Sequence, residues 1–204
     1  MIDAERIRRN LERARERAGP EVEILAATKY VAADSMGELA EAGVTLVGEN
    51  RLQDLRIKRE RWGDAFTWDF IGNLQSRKVK DVVPLVRLIH SVASESALVQ
   101  LGHHALAETE VLIEVNVAEE EGKGGVVPAE LGSFIERCPA RVVGLMTMPP
   151  FSEDAEASRP FFARLAELAS EHGLPRLSMG TSQDWEVAVD EGATIIRLGT
   201  ALYA

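Results

Sequence analysis

Leu177-Ser178-Met179-Gly180-Thr181-Ser182 and Thr194-Ile195-Ile196-Arg197-Leu198-Gly199-Thr200 are the two stretches whose reading decides the fold. Each is a short apolar run ending in glycine and small hydroxyl residues, the pattern of a buried strand that opens into a loop. Ser182-Gln183-Asp184 opens a helix between them. Consecutive strand ends that present hydroxyls and unhindered backbone N–H groups make a cradle for a phosphate. In a parallel β/α barrel the loops after strands 7 and 8 commonly hold one. Ordinary barrel loops share these residues, so the two segments alone leave phosphate binding open.

Outward from this pair, the same alternation runs back through the chain. Apolar runs at 22–28, 44–47, 66–71, 88–92, 111–117 and 142–146 read as strands. Between them lie stretches of helical spacing. Asp34 is placed to cap a helix through Leu39 and Ala42, and Ser94 one bearing Leu98, Leu101 and Ala105. A short basic helix carries Arg77, Lys78 and Lys80. Pro128 suits the first turn before Leu131 and Phe134, and a long helix aligns Phe161, Leu165, Leu168 and His172. Ahead of the first strand, Ile7, Leu11, Ala14 and Ala18 mark an extra helix that Gly19-Pro20 stops. The count of about eight strands predicts a single-domain (β/α)8 barrel over residues 1–204. A doubly wound open sheet shares the alternation. The number of units and the lack of a Gly-x-Gly-x-x-Gly turn after the first strand favour the barrel.

Composition narrows the partners. A net charge of −10 argues against nucleic acid, although local backbone dipoles still accommodate a small anion. The single cysteine, Cys138, excludes an intrachain disulfide and fits the cytoplasm. No run approaches the roughly twenty apolar residues of a membrane helix, and the charged opening residues lack the apolar core of a signal peptide.

In a barrel the chemistry sits at strand C-termini, here Lys29, Asn50, Asn73, Ser91, Asn116, Met146, Ser178 and Arg197 with Gly199-Thr200. Lys29 is the one lysine directly on an apolar strand. If the mouth of the barrel strips its hydration, its free amine becomes available to attack an aldehyde; a solvated lysine at a strand end is the alternative. Arg197 either turns inward to a ring attached to the phosphate or pairs with Asp184 or Asp190. Gly122-Lys123-Gly124-Gly125 lacks the spacing of a Walker loop. His90, His103, His104 and His172 lack metal-ligand spacing, and no Ser/His/Asp set occupies a nucleophile elbow.

Taken together, these strand ends resemble the YggS/PROSC family of pyridoxal phosphate homeostasis proteins. The pieces, in order, are Ala27-Thr28-Lys29, Gly48-Glu49-Asn50 with Gln53, Phe70 to Ser76, Ile89-His90-Ser91-Val92, Gly144-Leu145-Met146, Leu177 to Gly180, and Arg197-Leu198-Gly199-Thr200. The resemblance implies a barrel like the N-terminal domain of alanine racemase that carries pyridoxal 5′-phosphate (PLP). It matches Lys29 to the Schiff-base lysine and Arg197 to the arginine facing the pyridine nitrogen. Ser178 or Ser182, with Gly199 and Thr200, matches the phosphate site; Asn50 and Met146 match the pocket lining. The sequence departs from the family where Trp68-Asp69-Phe70-Ile71-Gly72 replaces the usual Trp-His-Phe-Ile-Gly, a change expected to touch the pocket rim. Arg77, Thr181-Ser182-Gln183-Asp184 and the ending Leu202-Tyr203-Ala204 also differ from the usual pattern.

What the resemblance implies is a monomeric cytoplasmic protein that stores PLP and delivers it to apo forms of PLP-dependent enzymes, without catalysis of its own. A small PLP-dependent racemase is the alternative. Racemases share the arginine but add a second domain and a second catalytic base, typically a tyrosine; Tyr30 and Tyr203 do not match that role.

Overall fold

In the computed structural model, which describes residues 2–204 and leaves Met1 outside the described residues, strand and helix alternate until the sheet closes on itself. The strands are β1 (Glu23–Ala27), β2 (Leu46–Glu49), β3 (Thr67–Phe70), β4 (Leu88–Val92), β5 (Glu110–Glu114), β6 (Arg141–Met146), β7 (Arg176–Thr181) and β8 (Ile195–Leu198). All neighbours pair in parallel, and β8 returns to β1. The helices are α1 (Ala4–Ala18), α2 (Met36–Glu41), α3 (Leu52–Trp62), α4 (Val79–Val82), α5 (Glu95–His104), α6 (Leu131–Arg137), α7 (Arg159–Glu171), α8 (Trp185–Asp190) and α9 (Thr200–Tyr203). This is the expected barrel with its extra leading helix.

Period-2 alternation divides the strands' side chains between two cores. Residues facing outward, such as Trp68, Phe70 and Ile196, join the helices in one large apolar layer. Those facing inward include Leu25, Leu46, Leu88, Leu112, Val143 and Ile195, a small plug across the barrel. Helix α1 buries Ile7, Leu11 and Ala14 along one stripe; Asp3 accepts the Glu5 N–H at its start, and Gly19 at φ 82° ends it. Ser94 caps α5 as expected, its hydroxyl oxygen accepting the Ala97 N–H at 3.2 Å.

Some local expectations are corrected. Asp34 sits inside a 3-10 turn, caps nothing, and pairs with Arg61 instead. On α7 the aromatic turned into the core is Phe162, not Phe161, because Phe162 shares a face with Leu165 and Ala169 at spacings of three and seven. His172 is exposed at the end of α7 rather than on its apolar stripe. β5 ends at Glu114, and Val115, whose N–H still donates to the Met146 carbonyl at 2.8 Å, forms a bridge with Val126.

A buried polar column beneath the barrel mouth

The C-terminal strand ends gather as expected, and the alternation sends Arg197, Ser178, His90 and Asp69 into the barrel. Asp69, Ser178 and Arg197 each lie between outward-facing apolar neighbours, as Asp69 does between Trp68 and Phe70, and His90 follows the outward-facing Ile89. Gly180 helps aim β7. At φ 87° it sits where the β7–β8 pairing slips, from Ser178 opposite Ile195 to Thr181 opposite Arg197. A Cβ there would meet the Ala188 Cβ at 2.5 Å and the Trp185 Cα at 2.9 Å.

Arg197 is 5 % exposed. Its Nη1 donates to the Ser178 hydroxyl at 2.6 Å, and its Nη2 to the Thr147 carbonyl at 3.0 Å and the Met148 sulfur at 2.9 Å. It forms an ion pair with neither Asp184 nor Asp190; Asp190 pairs with Arg17 at 2.6 Å. Burial pushes the Arg197 guanidinium down to about 10, against the opposing charges of Asp184 and Glu114, so it remains cationic at neutral pH. Glu114, at the end of β5, is itself raised by burial, opposed by Arg197 and Lys123.

Behind Arg197 the polar contacts continue through the barrel. Ser178 Oγ lies 2.9 Å from His90 Nδ1, and His90 Nε2 lies 3.1 Å from Asp69 Oδ2. Arg87 grips Asp69 with two bonds, Nε to Oδ1 at 3.0 Å and Nη2 to Oδ2 at 2.7 Å. Arg87 also pairs with Glu23, which in turn accepts Arg176 at the N-terminal end of the barrel. His90, Asp69 and Ser178 are each 0 % exposed. Burial lowers the His90 pKa, and the Arg197 and Arg87 charges add to that against the pull of Asp69, so the ring is neutral. Burial alone would raise the Asp69 carboxyl, but the bonds from His90 and Arg87 hold it below the usual carboxylate range. An ionised carboxylate only accepts. The network therefore assigns the His90 proton to Nε2 and leaves Nδ1 to accept the Ser178 O–H.

Ser178, His90 and Asp69 thus stand in the order of a hydrolytic triad, although no nucleophile elbow marks them in the sequence. The serine is sealed from solvent and already accepts from Arg197, so it is not a nucleophile. Sequence reasoning missed His90 and Asp69 as site residues. Their signal was a polar side chain at an inward position of an otherwise apolar strand. Asp69 lies inside the barrel, so the departure at this position does not touch the rim as expected.

The phosphate candidates separate cleanly. Ser182 Oγ accepts the N–H groups of Gly199 at 3.0 Å and Ala201 at 3.1 Å, whereas Ser178 is committed to the column. The Ala201 N–H was not anticipated. Thr200 is exposed beside this group, and a Cβ on Gly199 would find nothing nearer than 3.9 Å. Across the mouth, Asn50 Oδ1 is buried without a partner. Gly72 passes so close to Asn50 that a Cβ would lie 2.0 Å from its carbonyl oxygen, which is why glycine is required there. Met146 is buried within the interior plug. Asn73 is exposed, Ser91 donates to the Gly72 carbonyl, and Asn116 closes its own loop onto Glu120.

Lys29 follows β1 and is exposed, its Nζ 4.9 Å from the Tyr30 ring, which is itself 85 % exposed. The burial expected to desolvate this lysine is absent. Its backbone is held from below: Lys58 Nζ donates to the Thr28 carbonyl at 2.7 Å and pairs with Glu49, and the Thr28 hydroxyl donates to Glu49 Oε1 at 2.5 Å. Glu49 Oε2 is buried with no partner. Among the described residues, no group of three or more His, Cys, Asp or Glu is placed to hold a metal, and no helix is long and apolar enough to cross a membrane.

The fold and mouth define a β/α barrel of the alanine racemase type, and the sequence model described as alanine racemase, N-terminal domain, matches residues 2–204. The chain belongs to the pyridoxal phosphate homeostasis family within that class. It is 42 % identical to the pyridoxal phosphate homeostasis protein of Aquifex aeolicus, over 100 % of this chain and 98 % of that protein. It is 32 % identical to the protein of the same name from Escherichia coli, over 92 % and 87 %. Among solved structures, PipY of Synechococcus elongatus PCC7942 with PLP bound superposes with a TM-score of 0.83 at 31 % identity, covering 97 % of this chain and 100 % of that one. Alanine racemase from Corynebacterium glutamicum shares the fold alone, with TM-score 0.77 at 19 % identity over 99 % of this chain and 61 % of the enzyme.

Proposed function

We propose that this protein binds PLP at the barrel mouth as a Schiff base with Lys29, stores it, and delivers it to apo forms of PLP-dependent enzymes in the cytoplasm, acting as a monomer without catalysis of its own. The observation that carries the reading is Arg197, a buried cation with no carboxylate in contact, its guanidinium held at the mouth by Ser178, Thr147 and Met148. A group that presents an acceptor rather than a donor suits such a partner. PipY, solved with PLP bound, supports the same assignment.

The residues fit the cofactor. The Gly199 and Ala201 N–H groups and the Ser182 hydroxyl would hold the phosphate, with Thr200 beside them. Asn50 Oδ1 is a buried acceptor that lacks a partner, and Met146 lines the floor. PLP supplies an aldehyde and a ring that withdraws electrons. Arg197 only donates, so a ring nitrogen facing it would be held unprotonated and the ring would be a weaker electron sink. Lys29, exposed at the rim, suits exchange with an incoming amine better than a sealed lysine would.

The rival reading is a small PLP-dependent racemase, which needs a second proton-transfer group. Tyr203 is poorly suited: its hydroxyl donates to the Ala27 carbonyl at 3.2 Å, and burial, aided by Glu49, raises its pKa. The test is borohydride reduction of protein incubated with PLP, followed by peptide mass mapping. A pyridoxyl group on Lys29, absent in Lys29→Ala, is expected. An unlabelled Lys29 overturns the anchor, and steady exchange of an amino acid's α-proton in deuterated solvent overturns the non-catalytic assignment.

A further inference from the structure

The column beneath Arg197 does more than fill the barrel. We propose that Asp69, His90 and Ser178 are positioning residues that fix the orientation of the Arg197 guanidinium, and through it the face the pocket turns toward the pyridine nitrogen. The proposal rests on the PLP reading above for its functional meaning, but its structural core concerns this chain alone.

The argument is one of direction. Arg87 supplies donors to both Asp69 oxygens, at 3.0 and 2.7 Å, which fixes the carboxylate as an acceptor. His90 must then turn a donor toward Asp69, at 3.1 Å, and its other nitrogen is an acceptor for the Ser178 hydroxyl, at 2.9 Å. With its proton committed to His90, Ser178 has its lone pairs toward Arg197 Nη1, at 2.6 Å. Each choice forces the next, so the guanidinium meets an acceptor on its column side and cannot roll without leaving its own buried Nη1 N–H unpaired. Leaving such a group unpaired is costly in a buried site. The opposite edge of the same guanidinium is fixed by the Thr147 carbonyl. Two bonds at different nitrogens leave one rotational setting.

Asp69 presents Oδ1 to Arg87 and Oδ2 to both Arg87 and His90, and an ionised carboxylate has no donor to offer in return. The aspartate therefore sets the direction of the whole relay here.

Ligand-free protein labelled with 15N in histidine and arginine tests the core, with Arg197→Lys used to assign the guanidinium signal. Expected are a neutral His90 protonated at Nε2 and slow rotation about the Arg197 Cζ–Nη bonds. In Asp69→Asn, the amide oxygen is claimed by Arg87 and the amide nitrogen faces His90, so the tautomer should invert and the rotation should quicken. Ser178→Ala, a smaller change less able to disturb folding, should quicken the rotation while leaving the His90 tautomer in place. In both variants PLP should bind about tenfold more weakly, the worth of one hydrogen bond to a charged group, and the signal of 15N-labelled ring nitrogen should move. His90 protonated at Nδ1 in the unaltered protein, or Arg197 rotation unchanged in both variants, overturns the proposal. An unaltered protein that orders Arg197 as expected but leaves Lys29 unlabelled by PLP and borohydride overturns the cofactor reading, not the relay.

Discussion

The layer between strands and helices and the space enclosed by the strands are both dry, yet they are filled by opposite rules. Outside, apolar side chains such as Trp68, Phe162 and Leu101 fill most of the space, with the buried Lys58–Glu49 pair as an exception. Inside, the apolar plug is small, and a chain of ionised and hydrogen-bonded groups runs past it from Arg197 to Glu23 and Arg176. The outer layer gains from area removed from water, about 25 cal/mol per Å2. The inner column gains little net energy from its polar contacts, because desolvation offsets them. What it supplies is direction: each donor has one acceptor, and the last donor faces the mouth.

That contrast can be broken from either side. The largest expected effect is in the outer layer. Phe162→Ala should lower unfolding free energy by about 3–5 kcal/mol, from transfer and cavity costs together, while PLP labelling of the folded fraction is unchanged. Urea denaturation measures the first and mass mapping the second. A loss below about 1 kcal/mol would mean that α7 collapses onto the void.

Polar burial should behave differently, and the Glu49–Lys58 pair shows how. Lys58→Met leaves Glu49 buried beside the Thr28 hydroxyl without its cation, which costs roughly 3–5 kcal/mol. Replacing both, Lys58→Met with Glu49→Leu, should recover most of that loss. A double mutant no more stable than Lys58→Met alone would show the pair to be a net source of stability rather than a positioning device for the turn before Lys29.

The smallest effect is the pH dependence, and its sign follows from two lowered pKa values. His90 is neutral in the folded protein, whereas the unfolded chain binds its proton near the ordinary 6.5. Stability is therefore full above that value and falls as the pH drops below it, by up to about 1.4 kcal/mol per pH unit per proton. Asp69 is also lowered, so its contribution is present above the ordinary 3.8 and is lost at more acid pH. Thermal melts between pH 7 and pH 5 should show the His90 slope, and His90→Asn should flatten it. Equal slopes in both proteins would mean that the buried ring is already protonated.

The period of the apolar residues carried most of the architecture: strand and helix alternation, the leading helix, and the gathering of strand ends at one mouth were all legible. Periodicity reports which side of a strand is dry, and that suffices to close a barrel. It erred where two neighbouring residues were both aromatic, at Phe161 and Phe162, since composition alone does not fix the phase of a helix. The strand-end glycines and hydroxyl residues were legible as a group at the mouth, because such residues have a local backbone meaning.

Three matters were decided only by the tertiary structure. Ser178 and Ser182 look equivalent in the chain. Alternation along β7 sends the first into the column, and after the slip beyond it the second faces the Gly199 and Ala201 N–H groups. Lys29 reads as a lysine at the end of an apolar strand, yet only the packed mouth shows that it remains in water. The joining of Asp69, His90 and Ser178 depends on three strands, β3, β4 and β7, separated by long stretches of sequence. Local residues set which way each side chain points; which groups meet inside the barrel is set by strand register and closure, and these exist only once all eight strands are paired.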